Sequence, residues 1–191
     1  MGTIILLLGV GSTGKTTLAK QLVDTISDEF CIMGFDHAVE THLDKKYWPG
    51  GSHEERGFCY VKSDSGPKLE IGPEGHAFLR RMFDDILIKA KSGENIIIDS
   101  VLSDYEYQKL IEYLPDCHFL KVGLKPPLES VVTRESNRSD RKSGIAKQDY
   151  VNFYTNKEFD MMIDTSATSP QTAAEMIQDM YAEQKRSIKL I

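Results

Sequence analysis

The eight residues Gly9-Val10-Gly11-Ser12-Thr13-Gly14-Lys15-Thr16 constrain this chain more than any other stretch. They follow the apolar run Thr3 to Leu8 and precede a segment with helical periodicity. Strand, glycine-rich turn and helix therefore come in the order that G-x-x-x-x-G-K-[ST] requires. Gly9, Gly11 and Gly14 let the backbone turn so that its N–H groups converge into an anion nest. A helix opening at Lys15 adds the partial positive charge of its N-terminus. Lys15 supplies a full charge for β- and γ-phosphates, and the Thr16 hydroxyl is a hard oxygen ligand suited to Mg²⁺. Ser12, Thr13 and Thr17 complete the set expected around the phosphates. The motif predicts a bound nucleoside triphosphate with magnesium. Alone, it does not separate kinases from GTPases, ATPases or nucleotide binders without chemistry.

The rest of the chain repeats the same alternation. Apolar runs at Thr3 to Leu8, Cys31 to Phe35, Asn95 to Asp99, His118 to Leu124 and Asp160 to Asp164 are each bounded by polar or turn residues, as buried parallel strands are. Phe78, Met82, Phe83, Ile86, Leu87 and Ala90 recur at helical spacing and predict a helix over Pro73 to Lys91 with Gly93 as its stop. A second helix is expected from Ser169-Pro170, burying Ala173, Ala174, Ile177, Met180 and Tyr181. Strands alternating with helices predict an α/β fold with a parallel sheet covered on both sides. The 191 residues suit one domain. Two stretches fit the sheet poorly: about 37–72, expected to flank an acceptor site, and about 134–149, expected to form a lid.

Three further elements narrow the chemistry. The string Asn156-Lys157-Glu158-Phe159 has Phe where a guanine-reading N-K-x-D needs Asp, which removes the GTPase specificity element. Ile96-Ile97-Ile98 ends in Asp99-Ser100, without the second carboxylate of a motor ATPase. Asp99 is expected to hold magnesium through water or to orient a hydroxyl, with a strand-end turn cap as its alternative. Asp36 closes the second apolar run, where carboxyl ends of strands line the ligand crevice. A carboxylate there is placed to take the proton of an attacking hydroxyl or to hold that hydroxyl in line, with a plain turn Asp as its alternative. Arg134, Arg138 and Arg141 supply cations for the transferring group once a lid closes, or else line a solvated helix face neutralised by Glu135 and Asp140.

Composition excludes other classes. A net charge of −6 argues against nucleic acid as partner. Cys31, Cys59 and Cys117 are odd in number and far apart, so free thiols in a reducing compartment are expected. No basic leader precedes the first apolar run, and no run reaches membrane-spanning length, so a cytoplasmic protein without membrane contact is expected.

These residues together resemble the chloramphenicol phosphotransferase-like proteins, within the wider group of small P-loop kinases that includes shikimate kinase. The resemblance runs through the P-loop, Gly34-Phe35-Asp36, Ile71-Gly72-Pro73-Glu74, Ile96-Ile97-Ile98-Asp99 and Arg134-Glu135. It continues through Arg138, Asp140-Arg141, Gly144, Ala146-Lys147-Gln148, Asp160 and Asp164-Thr165. It implies a three-layer kinase fold with a five-stranded parallel sheet and an arginine-bearing lid. It also implies ATP-dependent transfer of the γ-phosphate to a hydroxyl of a small molecule. The family's base falls on Asp36 and its lid arginines on Arg138 and Arg141; in the named member the acceptor is the antibiotic's primary hydroxyl. Residues 37–69 depart from the family pattern, which leaves the acceptor open. A nucleoside or nucleotide kinase, and a nucleotide-binding module without transfer, stand as alternatives.

Overall fold

The computed structural model describes residues 2–63, 66–138 and 144–188. Ile4, Ile5, Leu6, Leu7 and Leu8 are all fully buried, so β1 (Thr3–Leu8) has no solvent face. A strand apolar on both sides belongs in the middle of a sheet covered twice. The chain continues through β2 (Cys31–Gly34), the hairpin β3 (Phe58–Ser63) and β4 (Gly66–Ile71), then β5 (Ile96–Asp99), β6 (His118–Leu124) and β7 (Met161–Ile163). The helices are α1 (Lys15–Thr25), α2 (Phe35–His42), α3 (Pro73–Ser92), α4 (Asp104–Tyr113), α5 (Leu128–Ser136), α6 (Ile145–Phe153) and α7 (Pro170–Ile188). Five strands form one sheet in the order β2-β5-β1-β6-β7, every pair parallel. This is the expected five-stranded parallel sheet with helices on both sides.

The period of two along β1 sorts the core. Ile4, Leu6 and Leu8 pack with Ile96 and Ile98 against α3, α4, α5 and α6, through Ile86, Leu110, Val131 and Phe153. Ile5 and Leu7 pack with Ile97 against α1 and α7, through Leu18, Leu22, Ala174 and Ile177. Each such fully buried side chain contributes about 1.5–3 kcal/mol from apolar burial. In α3 the expected face is inward: Phe78, Met82, Ile86 and Ala90 are buried and Phe83 and Leu87 partly so. In α7 Ala173, Ala174, Ile177 and Tyr181 are buried, with Met180 packed beside them.

Three departures from the sequence reading have a local reason, beyond one-residue shifts at the start of β5 and the end of α3. The second strand stops at Gly34 because the Phe35 N–H donates to Ser100 Oγ at 3.0 Å instead of joining a ladder. The last strand is shorter than Asp160 to Asp164, because the Asp160 carboxylate takes the Lys121 N–H at 2.7 Å. Residues 37–72 are structured: they hold most of α2, short 3-10 turns at Lys45–Tyr47 and Glu54–Arg56, and the antiparallel hairpin. Their own small core joins Leu43, Phe58 and Phe78, with Phe35, Trp48 and Ile71 around them. Phe35, Phe58 and Phe78 meet edge to face in a mutual triangle, with ring centroids 5.2–6.2 Å apart. The hairpin is thereby fastened to the first turn of α2 and the second turn of α3.

Candidate functional site

The loop between β1 and α1 carries the geometry its glycines predict. Ser12 has φ 62° and Gly14 has φ 95°, left-handed positions that turn successive N–H groups to one side. A Cβ on Gly9 would lie 2.6 Å from Thr13 Oγ1 and 2.9 Å from the Leu124 carbonyl, so the loop closes tightly on itself only with glycine there. Thr13 is fully buried, and its hydroxyl donates to the Val10 carbonyl at 3.0 Å. Lys15 is 7% exposed, and its ammonium donates to the carbonyls of Gly9 at 3.0 Å and Val10 at 2.9 Å. The Ser12 hydroxyl oxygen is buried with no hydrogen-bond partner. A buried, unpartnered hydroxyl beside converging amides and a buried ammonium is costly by itself and is the donor set an oxyanion satisfies. Thr16 and Thr17, in the first turn of α1, are exposed.

The neighbouring strands bring two carboxylates to the same edge. Gly34 and Leu7 both pair with Asp99, so the ends of β2, β5 and β1 lie side by side. Asp99 is half-buried at the end of β5, and Asp36 is exposed in the first turn of α2. The buried Ser100, through its bond to the Phe35 N–H, pins the start of α2 to the end of β5. At about 4.8 Å per strand spacing, the P-loop strand and the strand leading to Asp36 are about 10 Å apart, with Asp99 between them. Thr16 and Asp99 are hard oxygen donors of the kind Mg²⁺ takes.

On the other side of β1 the loop after β7 completes the surroundings. Arg134, at the end of α5, donates from Nη1 to Thr165 Oγ1 at 3.0 Å and from Nη2 to the Thr165 carbonyl at 2.8 Å. Thr165 Oγ1 donates in turn to the Thr13 carbonyl at 2.8 Å. Asp164 shapes this loop by accepting from the Ser166 N–H at 2.8 Å and the Ser166 hydroxyl at 2.6 Å. Those bonds hold its carboxyl below the ordinary range. A shallow open depression lined by Glu129, Ser130, Thr133, Arg134 and Ser166 lies alongside. Tyr154, just after α6, donates to the Leu124 carbonyl at 2.7 Å, and burial pushes its phenol far above its usual value, so it remains a neutral donor.

The sequence-derived candidates therefore fall into separate groups. Gly9, Gly11, Ser12, Thr13, Gly14, Lys15, Thr16 and Thr17 form one loop and helix start, with Asp36 and Asp99 at the adjoining strand ends. Arg134 belongs to helix α5 and is held by Thr165. Arg138 is exposed two residues beyond that helix. Arg141 and Lys142 lie outside the described residues, as do Asp64 and Ser65. Glu135, read as a neutraliser of lid charge, is instead a buried acceptor for the Gly144 N–H at 2.7 Å and the Ala146 N–H at 2.9 Å. Ser100 and Thr165 lie in strings the sequence offers, but their contacts, to the Phe35 N–H and to Arg134 and the Thr13 carbonyl, are ones to which the sequence reading assigns no role.

The sequence model of chloramphenicol phosphotransferase-like proteins matches residues 2–182. Proteins from two Mycobacterium tuberculosis strains, bearing a provisional O-phosphotransferase name, are each 25% identical to this chain. Each alignment covers 94% of this chain and 82% of the relative. Among solved structures, shikimate kinase from Acinetobacter baumannii in complex with shikimate superposes with a TM-score of 0.60 at 16% identity, over 97% of this chain and 96% of that one. The Mycobacterium tuberculosis APS kinase in complex with AMPPNP and APS gives 0.61 at 16% identity, over 95% of this chain and 98% of that one. The structural matches share the fold of P-loop kinases.

Proposed function

The chain belongs to the chloramphenicol phosphotransferase-like family, and on that premise we propose that it transfers the γ-phosphate of ATP to a hydroxyl of a small, uncharged molecule. The observation that carries this reading is the loop itself: a buried Ser12 hydroxyl without a partner, left-handed Ser12 and Gly14, and a buried Lys15 ammonium in one turn. Such a loop is costly to keep unless an anion binds there.

In this reading the amides from Gly11 to Thr16 and the Lys15 ammonium hold the β- and γ-phosphates. Thr16 and, through water, Asp99 would hold Mg²⁺, which supplies charge neutralisation on the phosphates when bound. Asp36 accepts the proton of the acceptor hydroxyl as that oxygen bonds to the γ-phosphorus. The bond from the γ-phosphorus to its bridging oxygen breaks, and ADP leaves with the electron pair. Arg138 and Arg141 place positive charge on the transferring group, and Arg134 with the loop at 164–168 flanks the nucleoside. Support for an uncharged acceptor comes from the cations that a phosphorylated one would call on: Lys46 is paired with Asp44 at 3.0 Å, Lys45 lies over the Trp48 ring, and Arg80 and Arg81 are exposed on α3.

Two variants test the assignment. Lys15→Ala is expected to abolish measurable ATP–Mg²⁺ binding by calorimetry. Asp36→Asn is expected to keep ATP affinity within about two-fold and to lower turnover by about 10²–10⁴, the range of general-base loss. Full turnover in Asp36→Asn would remove the base assignment.

A further inference from the structure

We infer that Thr165 is a positioning residue for the phosphate site, setting the direction of the Gly14 N–H; the inference rests on the reading of the P-loop given above. Its hydroxyl stands at the centre of a two-step relay. Thr165 Oγ1 accepts from Arg134 Nη1 at 3.0 Å and donates to the Thr13 carbonyl at 2.8 Å. With one proton to give, the hydroxyl is committed to Thr13 because the guanidinium can only donate. The Arg134 bond therefore fixes which way that proton points.

The Thr13 carbonyl and the Gly14 N–H belong to one peptide unit. In a planar trans peptide they point in opposite directions. Drawing the carbonyl outward to Thr165 aims the Gly14 N–H inward, among the amides of the nest. Gly14 needs this help, because its φ of 95° is one that glycine reaches from a wide basin and does not fix by itself. Thr165 also packs on this residue: its Oγ1, Cβ and Cγ2 lie 3.7–3.9 Å from where a Gly14 Cβ would stand. Thr165 is itself held in place. Asp164 closes a tight turn onto Ser166, and its carbonyl accepts the Thr168 N–H at 3.0 Å just before α7 begins. The relay joins the end of α5, the loop after β7 and the phosphate loop into one rigid contact.

The test compares Thr165→Val, which keeps the branched shape and loses the hydroxyl, with Thr165→Ser, which keeps the hydroxyl. The probe is inorganic tripolyphosphate with the full chain, followed by calorimetry and by the amide shift of ¹⁵N-labelled Gly14. The valine variant is expected to bind about 3- to 10-fold more weakly, the loss of one neutral hydrogen bond, with a reduced Gly14 shift on titration. The serine variant is expected to restore both to within about two-fold. With ATP, the valine effect is expected in KM, with kcat nearly unchanged. If the valine variant binds tripolyphosphate and shifts Gly14 as the wild type does, or if serine fails to restore them, the assignment of Thr165 is overturned while the phosphate site stands. If the wild type itself does not bind tripolyphosphate, the reading of the loop fails and this inference with it.

Discussion

Glu135 carries a negative charge into a site that is 5% exposed, and two backbone N–H groups hold it there. They belong to the N-cap Gly144 and to the first turn of α6, whose partial positive charge also favours an anion. The carboxylate thus joins the last turn of α5 to the start of α6. In the sequence it looks like one more charge in a run of arginines and aspartates, because its partners lie nine and eleven residues away and their N–H groups have no residue signature. Lys15, Thr16 and the glycines were readable for the opposite reason: their chemistry depends on local spacing alone. Glu135→Gln keeps the shape but offers one acceptor oxygen to two donors. It is expected to lower unfolding free energy by about 1–3 kcal/mol in urea titration. Glu135→Asp, too short to reach both, is expected to lose a similar amount.

At the scale of elements, legibility followed periodicity. The buried strands and the helices α3 and α7 have long, regular apolar faces, and their residues were identifiable one by one. The hairpin β3–β4 was not, because its inward residues Phe58 and Ile71 are separated by a Gly, Ser and charge-rich stretch. Their packing partners, Phe35 and Phe78, come from helices on either side of the hairpin. Lys157 had value in the sequence only as part of a failed guanine motif. Its side chain is 1% exposed, paired with Asp104 at the start of α4 and bonded to the Phe153 carbonyl at 3.1 Å. Hydrogen bonds from Lys157 and then Asn156 hold the Asp104 carboxyl below its ordinary value. A carboxyl depressed by folding stabilises above its unfolded pKa, and that contribution is lost as pH falls through the folded value. Asp104→Asn is therefore expected to be less stable than wild type near neutrality, leaving Lys157 buried without its counter-ion. The gap is expected to narrow as pH drops below about 4, the ordinary carboxylate range. With 43% of the Asp104 side chain exposed, solvent screening keeps the pH-dependent part small. Urea unfolding of both proteins between neutral pH and about pH 3 measures it.

For the whole molecule, the strand order does the assembling. With β5 on one side of β1 and β6 on the other, the chain leaves the sheet in different directions from neighbouring strand ends. The crevice so formed is where ligands of such sheets bind. One side of it holds the P-loop, Thr165 and Arg134; the other holds Asp99, Asp36 and the aromatic module at 35–78. The proposed phosphate donor and the proposed alcohol would occupy opposite sides of that division. The most direct measurement is transfer of labelled γ-phosphate from ATP to a panel of phenicols, aminoglycosides, nucleosides and sugars, with products identified by mass. The account predicts at least one uncharged alcohol carrying a new phosphate ester, formed one-for-one with ADP and lost in Asp36→Asn. ADP released across the whole panel with no phosphorylated acceptor would contradict it.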